Sequence, residues 1–314
     1  MKNITKKLYR KTNAGFYLLK PAFNLYNYLL YEKYLPRKHY IKKKFKKNFG
    51  YKLDQHPKTL NEKINWLKIN YHNPIGSDLA DKFKVREYIS KTIGDKYLIP
   101  LAYATDNPKK IIPENLPEFP FIIKTNHNSS GGIVIRDKKL ITNWSSIHNQ
   151  LRANLQDNYY WHGRELVYKD IKPMLIVEQL LDDGSGQFPA DYKVHCFNGK
   201  VRLINVDLDR GTPNQTCSWF NANWEREIFE WGGKLADGSY IKQSKTEIDK
   251  PIPFNEMKSL SELLAKDFKY LRIDWYVIKG QLFFGELTLY HHGGGKPIFP
   301  KEWDLKLGNE LNLT

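Results

Sequence analysis

The sequence predicts an α+β fold, and three observations carry that prediction. Eight short runs rich in β-branched and aromatic residues crowd the chain after residue 110. Two dipeptides among them, Asn198-Gly199 and Lys279-Gly280, have the composition of hairpin turns. Helical periodicity is confined to a few stretches that do not alternate one for one with the strands, so a wound βαβ sheet is not expected.

Residues 1–50 form a basic arm. They hold fourteen Lys and Arg against one acid, Glu32, and so carry +13 of the net +16. The arm is interleaved with aromatics, from Tyr9 to Phe49, and its most apolar piece is AGFYLLKPAFNLYNYLLY. That piece is interrupted by Lys20 and Pro21 and falls short of the ~20 uninterrupted apolar residues of a spanning helix. No small-residue cleavage site follows it, so a secretory leader is not expected. Two readings stand: a helix lying in the interface of an anionic membrane, or a helical arm packed on the body with a solvated lysine face. No recognition motif accompanies the charge, so nucleic acid is not an expected partner.

After the arm, KTLNEKINWLKIN over 58–70 reads as a helix, with Thr59 and Glu62 spaced as a capping box and Leu60, Ile64 and Leu67 on one face. SDLADKFKVREYISKT over 77–92 reads as a second helix starting at Ser77. A proline-punctuated connector, NPKKIIPENLPEF, leads into the β region. The strands are FPFIIKTN, GGIVIR, MLIVEQLL, ADYKVHCF, KVRLINVDLD, TCSWFNA, LRIDWYVI and QLFFGELTL, with helical interruptions at 143–160 and 255–270. In the latter, Met257, Leu260, Leu263, Leu264 and Phe268 recur at helical spacing. The divisions expected are 1–50, 51–110, 111–175 and 176–314.

With 314 residues, 41% of them hydrophobic, the chain can bury the cores of two lobes. Two cysteines, Cys196 and Cys217, supply neither a disulfide framework nor a zinc set, which fits a reducing, cytoplasmic setting.

The chemistry-bearing residues sit at strand ends and loops. Lys124 ends FPFII and opens the loop NHNSSGG, in which His127, Ser129, Ser130, Gly131 and Gly132 suit a wrap around phosphate oxygens. Lys82 lies on the second helix, and Lys193 shares a strand face with Asp191 and His195. Glu178 follows an apolar run suited to placing backbone groups against a purine edge. In IDWYVIKGQLFFGELTLY, a two-residue turn would pair Asp274 with Gly285 and send Glu286 to the opposite side. A three-residue turn would make Asp274 and Glu286 diagonal neighbours on one face, joined by Thr288. Two carboxylates and a hydroxyl together suit Mg²⁺; otherwise Asp274 pairs with Arg272 on a wet sheet face. Together these groups have the composition of an ATP–magnesium site, and neither a P-loop nor a kinase signature is present.

The segments KTLNEKINWLK, LADKFKVREYI, IIKTNHNSSGG, IVEQLL, DYKVHCFNGK, RIDWYVIKGQLFFGELT and FPKEWDLKLG, in this order, resemble the TupA-like ATP-grasp proteins of polysaccharide biosynthesis, from about residue 50 to 311. The resemblance implies an ATP-grasp fold, two lobes with mostly antiparallel sheets enclosing a nucleotide cleft. By position it implies that Lys82 and Lys124 hold the nucleotide phosphates, that Glu178 and Leu180 flank adenine, and that Asp274 and Glu286 bind magnesium. Thr288 stands where many such enzymes keep an asparagine, and YHHGGGKP departs from the family pattern, which points His291, His292 and Lys296 toward substrate selection. The reaction implied is activation of a carboxylate by ATP and its capture by an amino acid or amine. The carboxylate would belong to an acidic cell-surface polysaccharide or its lipid-linked precursor. Lys193 and Arg210 would act on the reacting groups, Arg210 either meeting the substrate carboxylate or pairing with Asp207 or Asp209. The competing expectation is a glycosyltransferase, with Asp207-Leu208-Asp209 as a metal-binding DxD and Trp219, Trp224 and Trp231 as sugar platforms. A non-catalytic glycan adaptor is the third.

Overall fold

A computed structural model describes residues 15–29, 34–129, 132–186, 188–233, 235 and 238–313. The α-helices are α1 (Lys20–Asn27, preceded by a π turn, Gly15–Leu19), α2 (Arg37–Phe49), α3 (Leu60–Asn70), α4 (Gly76–Ala80), α5 (Val85–Ile93), α6 (Trp144–Leu155), α7 (Tyr160–Gly163), α8 (Phe254–Ala265) and α9 (Glu302–Glu310). The strands are β1 (Leu101–Thr105), β2 (Phe121–Thr125), β3 (Ile133–Ile135), β4 (Leu175–Gln179), β5 (Asp191–Phe197), β6 (Lys200–Leu208), β7 (Thr216–Asn221), β8 (Tyr270–Ile278) and β9 (Gln281–Thr288). All eight expected strands form. β1, whose LAYAT has two alanines of low strand propensity, is the addition.

The chain divides into two compact units. The first holds the described residues up to Ile41, Asp81–Phe83 and Pro100–Leu180; the second holds Lys42–Ala80, Lys84–Ile99 and the chain from Leu181. These are not the divisions expected from sequence. Residues 51–110 are shared between the units, and β4 joins the first because it hydrogen-bonds β1 on one side and β2 on the other.

The first unit is built on a four-stranded antiparallel sheet of order β1-β4-β2-β3. Alternation sends Phe121 and Ile123 of β2, with Leu175 and Val177 of β4, into a core closed by Ile135 and by Leu151 of α6. Ile122, Lys124, Ile176 and Glu178 therefore point to the other face.

The second unit is built on a five-stranded antiparallel sheet, β7-β6-β5-β8-β9. One face carries Val194, Cys196, Ile204, Ile273 and Trp275, all buried, and packs on α8, where Ser261 accepts the Trp275 indole N–H at 2.9 Å. The cysteines are both buried and free. The capping box of α3 is present: Thr59 Oγ1 accepts the Glu62 N–H at 3.2 Å and Glu62 accepts the Thr59 N–H at 2.9 Å. Helix α3 then packs on α9, where Asp304 accepts both the backbone and side-chain N–H groups of Asn61 at 2.9 and 3.1 Å.

The helix expected over 77–92 is broken into α4 and α5. The Asp81 carboxylate accepts the Phe83 N–H at 2.8 Å, a local turn that competes with the helix, and the Lys82 N–H goes to the Asn126 carbonyl at 3.0 Å. Lys82 thus sits in the break rather than on a helix.

Candidate functional site

The other face of the five-stranded sheet carries the charged groups, most of them buried, and register explains why. The β8–β9 turn has two residues, Lys279 and Gly280, both left-handed (φ 51° and 78°), with Ile278 opposite Gln281. Such a turn alone would have put Glu286 on the wrong side. A bulge at Gly285 shifts the ladder by one residue, because Trp275 pairs with Phe284 while Asp274 pairs with Glu286. The three-residue turn is therefore absent, yet the two carboxylates lie directly opposite each other on one face. A side chain at Gly285 would press within 3.1 Å of the Asp274 carbonyl, so the bulge is kept by a small residue.

Neighbouring strands extend this face. Lys193 of β5 is opposite Asp274 on one side and Asn205 of β6 on the other; His195 is opposite Arg272; Asp191 is opposite Asp207 and Tyr276. Thr288 is opposite Arg272, and its hydroxyl donates to Glu286 Oε1 at 3.3 Å.

Arg272 is the hub. It grips Asp274 through Nε–H to Oδ1 (2.6 Å) and Nη2–H to Oδ2 (2.7 Å), reaches Glu286 Oε1 at 2.8 Å, and donates to His291 Nδ1 at 2.9 Å. This is the pairing with Arg272 that the sequence offered as the alternative to metal binding, extended to both acids. Two facing carboxylates repel, and a cation held against both offsets that repulsion. Burial pushes the Asp274 carboxyl up to about 7, against the opposing pull of Arg272 and then Lys193; the short bidentate contact with Arg272 favours the ionised form.

A second ionic group adjoins it. The Lys193 ammonium contacts Asp191 and lies 2.9 Å from Asp207, while Arg210 also contacts Asp191. Arg210 thus pairs with Asp191, not with Asp207 or Asp209, and its side chain remains about half exposed. Asp191 Oδ1 is buried and accepts no hydrogen bond among the described residues. The DxD reading does not fit this geometry: Asp207 is engaged by Lys193 and by Asn205 Nδ2 at 3.1 Å. Asp209 lies beyond the end of β6 with a left-handed backbone (φ 52°).

The far end of the face is closed by rings. Trp219 and Trp231 stack at 5.6 Å, flanked by His195 and His291. Both indoles are buried, which removes them as sugar platforms; Trp224 instead stacks on Phe220 at 4.4 Å. His195 is fixed by Tyr270 (2.8 Å) and Asn205 (2.9 Å), and burial lowers its pKa to about 3, so the ring is neutral. His291 accepts from Arg272, and among the described residues its Nε2 has no hydrogen-bond partner. His291 is thus a buried support for Arg272, whereas His292 is exposed.

The described residues of the loop after Lys124 lie in the first unit. Lys124 meets Glu178 at 2.5 Å, and Lys82 Nζ donates to the Asn128 carbonyl at 2.8 Å. Gly132 crosses close over β2, where a Cβ would come within 2.8 Å of Ile122 and 3.3 Å of Lys124. Ser129 is exposed, and Ser130 and Gly131 lie outside the described residues. Two expectations change. His127 is buried, with Nε2 at 2.7 Å from the Asp157 carbonyl and Nδ1 at 3.1 Å from Asn126 Oδ1; burial lowers its pKa. It anchors the loop from below. The Leu180 N–H is taken by the Pro120 carbonyl at 2.9 Å, so a purine contact there is left to its carbonyl.

Sequence reasoning treated Arg272 only as a rival to metal binding and missed His291 as its support. The signal was in R-x-D, which puts both side chains on one strand face.

Asp274, Glu286 and Thr288 fit magnesium as a sparse donor set. Mg²⁺ commonly takes one or two carboxylates and fills its shell with water and phosphate oxygens. Among the described residues no group of three or more His, Cys, Asp and Glu side chains forms a metal cage. Arg272 engages both oxygens of Asp274 and Oε1 of Glu286 in this structure.

No curated protein matches the chain. Similar solved structures include D-alanine–D-alanine ligase from Bacillus anthracis (16% identity, 67% of this chain and 56% of that chain, TM-score 0.39). They also include D-alanine–D-alanine ligase from Helicobacter pylori (15%, 75% and 59%, TM-score 0.42) and L-amino acid ligase from Bacillus licheniformis (13%, 90% and 63%, TM-score 0.46). The chain spans less than two thirds of the length of each. The family model TupA-like ATPgrasp matches residues 62–312. With the acid pair, Lys193 and the Lys82–Lys124 loop all inside that match, the chain belongs to the TupA-like ATPgrasp family, and its α+β architecture is the ATP-grasp fold.

Proposed function

We propose that the protein is an ATP- and magnesium-dependent ligase that joins an amino acid or amine to a carboxylate of an acidic cell-surface polysaccharide or its lipid-linked precursor. The observation that carries this reading is Asp274 opposite Glu286, with Lys193 opposite Asp274, on one sheet face of a TupA-like ATPgrasp chain.

A carboxylate oxygen of the substrate attacks the γ-phosphorus, the bond to ADP breaks, and an acyl phosphate forms. The amine nitrogen then attacks the acyl carbon, inorganic phosphate leaves, and the nitrogen loses a proton to give the amide. Asp274 and Glu286, with Thr288 beside them, would hold magnesium, which would supply charge neutralisation for the phosphates. Lys82 and Lys124 hold phosphate oxygens, with Gly132 giving the loop its close approach. Glu178 meets the purine edge. Lys193 stabilises charge on the transferring group, which needs alignment and neutralisation more than covalent help. Arg210, half exposed beside Asp191, takes the substrate carboxylate. Arg272 keeps the carboxylate pair facing one way.

Glu286→Ala tests this. ADP release with Mg-ATP, a uronic-acid oligosaccharide and an amino-acid mixture should fall at least a hundredfold, with the melting temperature little changed. Retained turnover would remove the metal role of Glu286.

A further inference from the structure

Helix α1 is inverted relative to a helix facing water. Its inward positions are polar: Lys20 and Asn27 are only 2% and 5% exposed, and Lys20 is ion-paired with Asp157. Its outward positions are apolar: Leu18 is 73% exposed and Leu25 58%. Leu18 in the π turn before α1, Ala22 and Leu25 on α1, and Leu29 just after it are all exposed, whereas Lys20 and Asn27 of α1 are buried. A helix in water buries its apolar side chains; this one spends an ion pair on its inner side and leaves its leucines outside.

The charge close to these leucines in sequence points to the occupant. The chain's first 50 residues carry +13, and on α2 Lys38, Lys42, Lys43, Lys46 and Lys47 are all exposed, while Ile41 and Phe45 are buried. Among the described residues no helix is long and apolar enough to cross a membrane. Exposed leucines with tyrosines beside them and lysines close in sequence match a helix lying in a lipid interface. Nucleic acid would use the lysines and leave the leucines wet.

We infer that α1 is an interfacial anchor that seats Leu18, Leu25 and Leu29 in an anionic phospholipid bilayer, with the α2 lysines drawing the chain to the surface. This goes beyond the ligase reading and does not depend on it, because ATP turnover can be measured without vesicles.

The test is flotation of the full chain with vesicles of phosphatidylcholine alone and of phosphatidylcholine with 30% phosphatidylglycerol (~30%, enough for a negative surface potential). Wild type should float with the anionic vesicles only, and less so as salt rises. Leu18→Glu/Leu25→Glu should lose at least tenfold in bound fraction with an unchanged melting temperature. Lys42→Glu/Lys43→Glu/Lys46→Glu should lose binding too. If the leucine variant unfolds, Leu25→Ser replaces it in the same assay. Absence of wild-type flotation, or equal flotation by the leucine variants, overturns the inference. So does a concentration-dependent dimer that the leucine substitutions dissolve without any vesicle binding, since a second copy would then cover the leucines.

Discussion

At the scale of residues, the account turns on Arg272. Its guanidinium holds three partners at once, Asp274 and His291 buried and Glu286 partly exposed, and removing it leaves Asp274 and Glu286 facing each other with their main counter-charge gone. Breaking a buried ionic group of this kind costs about 3–5 kcal/mol. Arg272→Ala should therefore lose stability of that order by urea unfolding, and millimolar Mg²⁺ should restore part of it, because the metal replaces the missing cation. A variant as stable as wild type, or one indifferent to magnesium, would contradict the cation-seeking role given to the acid pair. The pair itself was half legible in the sequence. Alternation ties Thr288 to Glu286 on one face of β9, but whether that face is Asp274's depends on the Gly285 bulge, which a single glycine in FFGEL does not announce. His127 shows the opposite failure. A histidine in a polar loop reads as a ligand contact, and only the fold shows both its nitrogens spent on Asn126 and Asp157.

At the scale of elements, the capping box of Thr59 and Glu62 and the strand runs after residue 110 were readable because their causes are local. The break at Asp81–Lys84 was not, because the Lys82 N–H leaves the helix for a carbonyl at Asn126, distant in sequence. The contact of α9 with the start of α3 is another long-range constraint. Gly308 lies so close to that segment that an added Cβ would sit 2.0 Å from the Lys58 carbonyl oxygen and 2.7 Å from Thr59. Backbone cannot swing aside as a side chain can. Gly308→Ala should destabilise by about 2–3 kcal/mol, the upper range for overpacking, although alanine is the better helix former. Thermal unfolding measures it; a neutral or stabilising substitution would show that α9 does not pack there.

At the scale of the whole molecule, charge and chemistry are segregated. The basic arm accounts for most of the net charge, while the sheet face with Lys193, Arg272, Asp274 and Glu286 balances its charges locally. This division is visible in composition alone. The two-unit partition was harder to read, because each unit gathers segments from separate parts of the chain. In the ligase proposed above, ATP would bind through magnesium held by the Asp274–Glu286 pair. Calorimetric titration of Mg-ATP into wild type and Glu286→Gln tests it most directly. Wild type should bind only when magnesium is present, and the glutamine variant should bind at least tenfold more weakly at equal melting temperature. Equal affinity in the two proteins, or binding that survives removal of the metal with EDTA, would contradict it.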